Sequence, residues 1–198
     1  MIPDSIPAFV SEALAEEPGL EPALIDRLPE LLAPADVPAG ALGALLAEVE
    51  APPLRYAPFF DRLSELWDLP EPELMAVFEK SRDKRAWRKP PLPGLELMRI
   101  RGGPRTEGAE LYLARFAPGM RFPKHRHLGH EEVLILEGHY TEGTTGRVYR
   151  SGDVHFMEAD GAHDLLIAKD EPCVAAAAHH GIEFSSVFMR VLAKLFKT

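Results

Sequence analysis

Apolar positions over the first 89 residues recur at three- and four-residue spacings, the signature of amphipathic helices. Phe9, Val10 and Leu14 form one such stripe, and Leu20, Leu24, Ile25, Leu28, Leu31 and Leu32 form a second. Pro34 and Pro38 interrupt it, since proline lacks the donor a helix interior needs. A third helix is predicted from about Ala39 to Glu48, with Leu42, Leu45 and Leu46 on one face. A fourth puts Leu54, Ala57, Phe60, Leu63, Leu66 and Trp67 inward and Arg55, Asp61, Arg62 and Glu65 outward. A fifth opens at Pro70-Glu71-Pro72-Glu73, with acids where the helix dipole favours them. It carries Leu74, Met75, Val77 and Phe78 into the basic stretch Lys80 to Arg88.

Lys89-Pro90-Pro91-Leu92-Pro93-Gly94 is a stiff connector. It sets the expected division: a helical domain over 1–89 and a second domain over 90–198. Beyond it the period shortens to two, or to short apolar runs. Strands are predicted over Leu95–Arg101, Glu110–Phe116, Glu132–Leu136, Arg147–Arg150, Val154–Glu158, His163–Ala168 and Cys173–Ala177. Gly102-Gly103, Pro118-Gly119, Gly143, Gly146 and Ser151-Gly152 punctuate them as turns. Short strands with regular turns point to a sandwich or barrel. A last helical stripe runs through Phe184, Val187, Phe188, Val191, Leu192, Leu195 and Phe196, backed by Arg190, Lys194 and Lys197.

The chain has 198 residues and is 46% hydrophobic, which suits a globular protein with a real core. No apolar run approaches the roughly 20 residues that span a bilayer. The start, Met1-Ile2-Pro3-Asp4-Ser5, lacks the basic end and apolar stretch of a signal peptide. A cytoplasmic protein with no membrane contact is the expectation. Cys173 is the only cysteine, so an intrachain disulfide and cysteine-built zinc motifs are excluded. The net charge of −9 argues against direct nucleic-acid binding. That charge is concentrated: residues 1–68 hold 13 acids and three bases, a net of −10, against +1 for the rest. An acidic helical surface of this kind attracts a basic partner.

All eight histidines lie between His125 and His180. The densest segment, Gly119 to Gly138, reads G-x5-H-x-H-x3-E-x6-G. On a strand, His125 and His127 point to the same face. Glu131 follows after a turn and opens the next strand, and adjacent antiparallel strands would bring its carboxylate beside the two imidazoles. After a further strand comes His163, a fourth candidate ligand. Imidazole and carboxylate donors together suit Zn, Fe, Mn, Ni or Co. His130 points away from the H-x-H face if the strand continues. His139 and His155 lie on predicted strands, with core or surface placement as the default, and His179-His180 reads as a strand end. Cys173 in its apolar run reads as a buried small hydrophobe, and Lys80 to Arg88 as a solvated helix end.

The first segment matches the first cupin motif at every signature position, and the second, Gly152 to Ile167, resembles the second motif in weakened form. Gly152 and His163 match it, while Glu158, Asp160 and Ile167 stand where proline, glycine and asparagine are usual. Trp87, Leu92-Pro93-Gly94-Leu95-Glu96-Leu97, Gly102-Gly103-Pro104, Ala117-Pro118-Gly119, Phe122-Pro123-x-His125-Arg126-His127-Leu128-Gly129 and Leu136-x-Gly138 narrow the likeness. Together they resemble ChrR-like anti-sigma factors and their cupin relatives. The resemblance implies an all-α N-terminal domain and an all-β C-terminal cupin, a double-stranded β-helix or jelly-roll barrel, to which the last apolar stripe adds a C-terminal helix. It implies one divalent metal, zinc favoured, on His125, His127, Glu131 and His163. It implies a sigma factor or other basic protein as the partner of residues 1–68, a small-molecule ligand in the cupin pocket, and a homodimer as a further expectation. The matching role is transcriptional regulation or stress sensing; the alternative is a metal-dependent cupin dioxygenase or isomerase. In that family the helical domain carries its own zinc ligands, histidines and a Cys-x-x-Cys pair. Residues 1–85 contain neither residue type.

Overall fold

The computed structural model describes residues 38–49 and 52–186. The helices expected before residue 38 and the C-terminal stripe from Val187 onward lie outside the described residues. The chain divides into two compact units, 1–45 and 46–198. Helix α1 (Ala41–Val49) spans that division, and Leu42, Leu45, Leu46 and Val49 on it are exposed.

The fourth expected helix is broken in two. Helix α2 (Pro52–Tyr56) passes through a single 3-10 turn, Ala57–Phe59, into α3 (Phe60–Trp67). Pro58 lies in that turn, where a missing donor is tolerated at the start of a new helix. The break shifts the inward face. Tyr56, Phe60, Leu63, Leu66 and Trp67 are buried, whereas Leu54 and Ala57 are exposed. Asp68 ends α3 in the left-handed region (φ 54°), and its carboxylate accepts from the Arg105 backbone N–H at 2.9 Å and from Arg105 Nε at 2.7 Å. Helix α4 (Glu71–Lys80) starts on two acids and ends on a lysine, both matched to the dipole.

Ten strands follow among the described residues: β1 (Leu95–Ile100), β2 (Glu110–Phe116), β3 (Arg121–His127), β4 (Glu131–Glu137), β5 (His139–Glu142), β6 (Val148–Arg150), β7 (Val154–Met157), β8 (Ala162–Ile167), β9 (Cys173–His179) and β10 (Ile182–Phe184). They form two antiparallel five-stranded sheets, ordered β1-β2-β9-β4-β7 and β10-β3-β8-β5-β6. Three departures from the periodicity stand out. Strand β5 is too short to show an alternation. Strand β9 runs two residues beyond Ala177. Phe184, read as the first position of a helical stripe, instead ends β10, where it pairs with His125.

Strands β4 and β9 are buried on both faces, as their continuous apolar runs require. Leu134, Leu136, Val174 and Ala176 join Leu111, Leu113, Met98 and Ile100 in one core with Tyr56, Phe60, Leu63, Trp67, Leu74 and Phe78 of the helices. Trp67 Nε1 reaches the Ala177 carbonyl at 3.3 Å, and Phe60 stacks on Phe78. The alternate residues, Val133, Ile135, Cys173 and Ala175, face the barrel interior with Tyr140, Leu165 and Ile167 of the second sheet. Gly138 closes the first motif at φ 66°, and a Cβ there would sit 2.1 Å from the Pro172 carbonyl oxygen, so only glycine fits.

Candidate metal centre

His125 and His127 lie on β3 with both side chains inside the barrel and almost no solvent exposure. Strand β8 pairs directly with β3, and the register sets His125 opposite His163. Glu131 arrives differently from the expectation. β4 does not pair with β3; it belongs to the other sheet, between β9 and β7. The short turn Leu128-Gly129-His130 carries the chain from one sheet to the other, so the carboxylate meets the imidazoles across the interior rather than along a hairpin.

The four groups converge. One ligand atom from each of His125, His127, Glu131 and His163 lies within 4.8 Å of all the others. His163 Nε2 is 3.1 Å from His127 Nε2 and 3.1 Å from His125 Nε2. Glu131 Oε2 is 3.6 Å from His127 Nε2. His125 Nδ1–H donates to the Pro123 carbonyl at 2.9 Å, which leaves its Nε2 lone pair directed into the cluster. Nδ1 of His127 and of His163 are buried without a hydrogen-bond partner. Packing orients those rings instead: His127 lies edge-on to His125, and His163 edge-on to His155.

This donor set fits a divalent cation. One N–H on His163 Nε2 can serve only one of its two 3.1 Å contacts. An ion about 2.1 Å from each nitrogen sets ligand separations of about 3.0 Å in octahedral or about 3.4 Å in tetrahedral coordination, and the 3.1 Å between the imidazole nitrogens lies between. The titration of the groups points the same way. Burial pushes His125, His127 and His163 down to about 4, so the rings are neutral ligands at physiological pH. Burial pushes Glu131 up to about 8, so without a cation the acid keeps its proton.

The other histidines divide sharply. His130 is exposed, stacked loosely on Phe156 and tilted against His180; the strand has ended before it. His139 pairs with Glu171 at 2.7 Å, away from the cluster. His155 is buried behind His163, stacked on Tyr149 and hydrogen-bonded to the Tyr140 hydroxyl at 2.8 Å. His179, a strand end by sequence, lies within β9 beside the site. It is buried, it is the register partner of both Glu131 and Glu110, and it stacks on Tyr112. The alternation Cys173, Ala175, Ala177, His179 carries the signal: those four share the inward face once β9 is read to its end. Cys173 is fully buried in the apolar interior, and the Lys80 to Arg88 stretch is exposed except for Ser81, Ala86 and Trp87.

A cavity of about 610 Å³ reaches His125 and Glu131 from the barrel interior. Among its lining residues are Leu95, Leu97, Ala114, Phe122, Ala177 and His179. No helix among the described residues is long and apolar enough to cross a membrane.

A comparison with curated proteins gives no match in sequence. Among solved structures, the chain resembles the crystal structure of Rhodobacter sphaeroides SigE in complex with the anti-sigma ChrR, at 20% identity and a TM-score of 0.46, over 87% of this chain and 82% of that one. A protein of unknown function with a cupin-like fold from Ralstonia eutropha matches at 19% identity and a TM-score of 0.43, over 52% and 73%. An acetylacetone dioxygenase from Acinetobacter johnsonii matches at 14% identity and a TM-score of 0.45, over 54% and 76%. At such identities the likenesses speak to the fold alone. The family model for the ChrR cupin-like domain matches residues 78–183, more than half of the chain, and the chain therefore belongs to the ChrR cupin-like domain family.

Proposed function

We propose that this protein is a metal-binding cupin that regulates transcription through a protein partner. His125, His127, Glu131 and His163 hold one divalent ion, zinc by preference, with Fe, Mn, Ni and Co compatible with the same donors. The observation that carries the reading is the convergence of three imidazole nitrogens and a buried carboxylate in a chain of this family. In this reading residues 1–89 serve the partner and residues 90–198 hold the metal. The net charge of −10 over residues 1–68 supports a basic partner. A sigma factor is the partner we favour, since the similar structure from Rhodobacter sphaeroides is an anti-sigma protein in complex with SigE. The ion, if bound, would supply a Lewis-acidic centre and a fixed positive charge inside the barrel. The chain's own part is to keep three rings neutral, orient His125 through Pro123 and bury the carboxylate.

Two measurements test this. Elemental analysis of the protein purified from its own host gives one metal per chain. The full-length chain, mixed with sigma factors of the source organism at low and moderate salt, captures one of them in a salt-sensitive manner. Absence of metal, or of any salt-sensitive partner, defeats the corresponding half of the reading. A second reading, a cupin dioxygenase or isomerase, is favoured by the cavity that abuts His125 and Glu131. Turnover of a small molecule by metal-loaded protein that captures no partner would establish it.

A further inference from the structure

Three neutral imidazoles and one carboxylate leave a divalent ion with a net charge of +1. The cavity beside these ligands is walled mainly by carbon. Its floor on β9 is Ala175 and Ala177, flanked across the sheet by Ala114, Tyr112 and Val133. Small side chains in the middle of a barrel strand leave a hollow where Leu or Phe would fill the core. Arg88 and Arg99, both exposed, lie on the same cavity wall as Tyr112 with one acid, Glu110, beside them, so this wall carries one more positive than negative charge. Charge at the ligands and apolar walls beside them define one class of occupant.

We infer that the cavity binds a small monoanion, a carboxylate carried on an apolar body of roughly ten to twenty non-hydrogen atoms, the size such cavities take. The carboxylate faces the His125–Glu131 side and neutralises the residual +1. The apolar body lies over Ala177, whose methyl sets the depth of the hollow. The arginines at the rim favour entry of an anion. This rests on the metal reading of the four ligands and names the ligand class that site takes.

The test uses the full-length protein loaded with Co(II), whose visible absorption reports on the ligands at the ion, together with calorimetry. The probes are 4-phenylbutyrate, acetate and 4-phenylbutan-1-ol. The phenylbutyrate shifts the Co(II) spectrum saturably. Acetate, which lacks the apolar body, and the alcohol, which lacks the charge, each bind at least about tenfold more weakly, a step of roughly 1.4 kcal/mol. Ala177→Leu keeps the full Co(II) content but weakens phenylbutyrate by roughly tenfold or more, and Ala177→Val has a smaller effect in the same direction, since added methylenes compete for the hollow. Neither substitution removes the Ala177 carbonyl that accepts from Trp67. A loaded site that ignores phenylbutyrate, or that takes acetate or the alcohol equally well, overturns the inference and leaves the metal reading standing. Unaltered affinity in Ala177→Leu overturns the placement over Ala177. A chain that takes up no Co(II) overturns the metal reading and the inference with it.

Discussion

On one face of the sheet β1-β2-β9-β4-β7, Leu134, Leu136, Val174 and Ala176 meet Leu63, Trp67, Leu74 and Phe78 of the helices. On the other face of the same strands, Val133, Ala175, Ala177 and His179 look into the barrel toward His125 and Tyr140. Both faces are buried, yet they are furnished differently. The helix-facing side is closed mainly with large side chains and with the indole hydrogen bonds of Trp67 and Trp87. The interior side keeps alanines where bulk would fit and concentrates ionisable groups that carry a burial penalty. The first arrangement maximises buried area; the second gives some of it up to hold polar donors and space next to them. Stability therefore resides on one face and chemistry on the other, and substitutions on the two faces should separate these properties.

The largest effect is expected on the closed face. Trp67 has no solvent exposure and spans the helices and β9. Trp67→Ala should lower the unfolding free energy by about 3–5 kcal/mol, a large share of an ordinary domain's stability. The loss should be the same with chelator as with metal present. A loss below about 1 kcal/mol in denaturant titration would show that the helices do not share the sheet's core.

Next comes the interior. His127→Ala removes one of four converging donors and should weaken metal binding by more than roughly a hundredfold, about 2.7 kcal/mol. The metal-free protein should lose little stability, because the substitution also removes a buried imidazole with an unpartnered Nδ1. His130→Ala, on an exposed ring outside the cluster, should leave metal content unchanged. Full metal occupancy in His127→Ala would remove His127 from the ligand set.

The H-x-H spacing, the carboxylate four residues on and the distant His163 were legible because a strand's alternation and a short turn are local rules. What the sequence did not disclose was the partner of each strand. A hairpin between β3 and β4 is the simplest reading, yet the Leu128-Gly129-His130 turn crosses between sheets, and that depends on non-local pairing of β4 with β9. The same limit hid His179, whose role is visible only once β9 is known to pair with both β2 and β4. The break at Pro58 was a local signal, and reading it would have moved Tyr56 into the core. The unbroken apolar run Val133 to Leu136 gives no face preference by itself, because both faces are buried.

A pH series sharpens the contrast further. His125, His127, His155 and His163 are held down to about 4 by burial, against an ordinary value of 6.5. Their stabilising contribution is complete above pH 6.5 and is lost as pH falls toward 4, because the unfolded chain then binds protons that the folded one refuses. Glu131 has the opposite sign. Its value is raised by burial from 4.5 to about 8, so its contribution is complete below 4.5 and is lost as pH rises toward 8. Metal-free protein should therefore be most stable near about pH 6.5 and decline on both sides. Metal binds the carboxylate form, so adding it should abolish the alkaline decline and leave the acid one. Thermal unfolding at about pH 5, 6.5 and 8, with and without chelator, reads this directly. An alkaline decline that persists in saturating metal would mean that Glu131 stays protonated and outside the site.

The smallest effect concerns a departure from the family's second motif. Asp160 occupies the glycine position, and it sits in the left-handed region at φ 66°. Its carboxylate pairs with Arg126 on the surface, with both side chains well exposed. Asp160→Gly relieves the left-handed strain but loses an exposed, solvent-screened ion pair and adds freedom to the unfolded chain, the latter worth about 0.5–1 kcal/mol. These contributions offset one another, so stability should change by less than about 1 kcal/mol. Asp160→Ala loses the pair and keeps the strain, with no side-chain amide or acid to ease it. It should be the less stable of the two variants by about 1 kcal/mol. The turn precedes His163 by three residues, so metal content serves as the second readout, and it should be unchanged in both. If Asp160→Ala proved as stable as Asp160→Gly, the turn would not demand a left-handed residue. The family's glycine would then reflect some constraint other than backbone conformation.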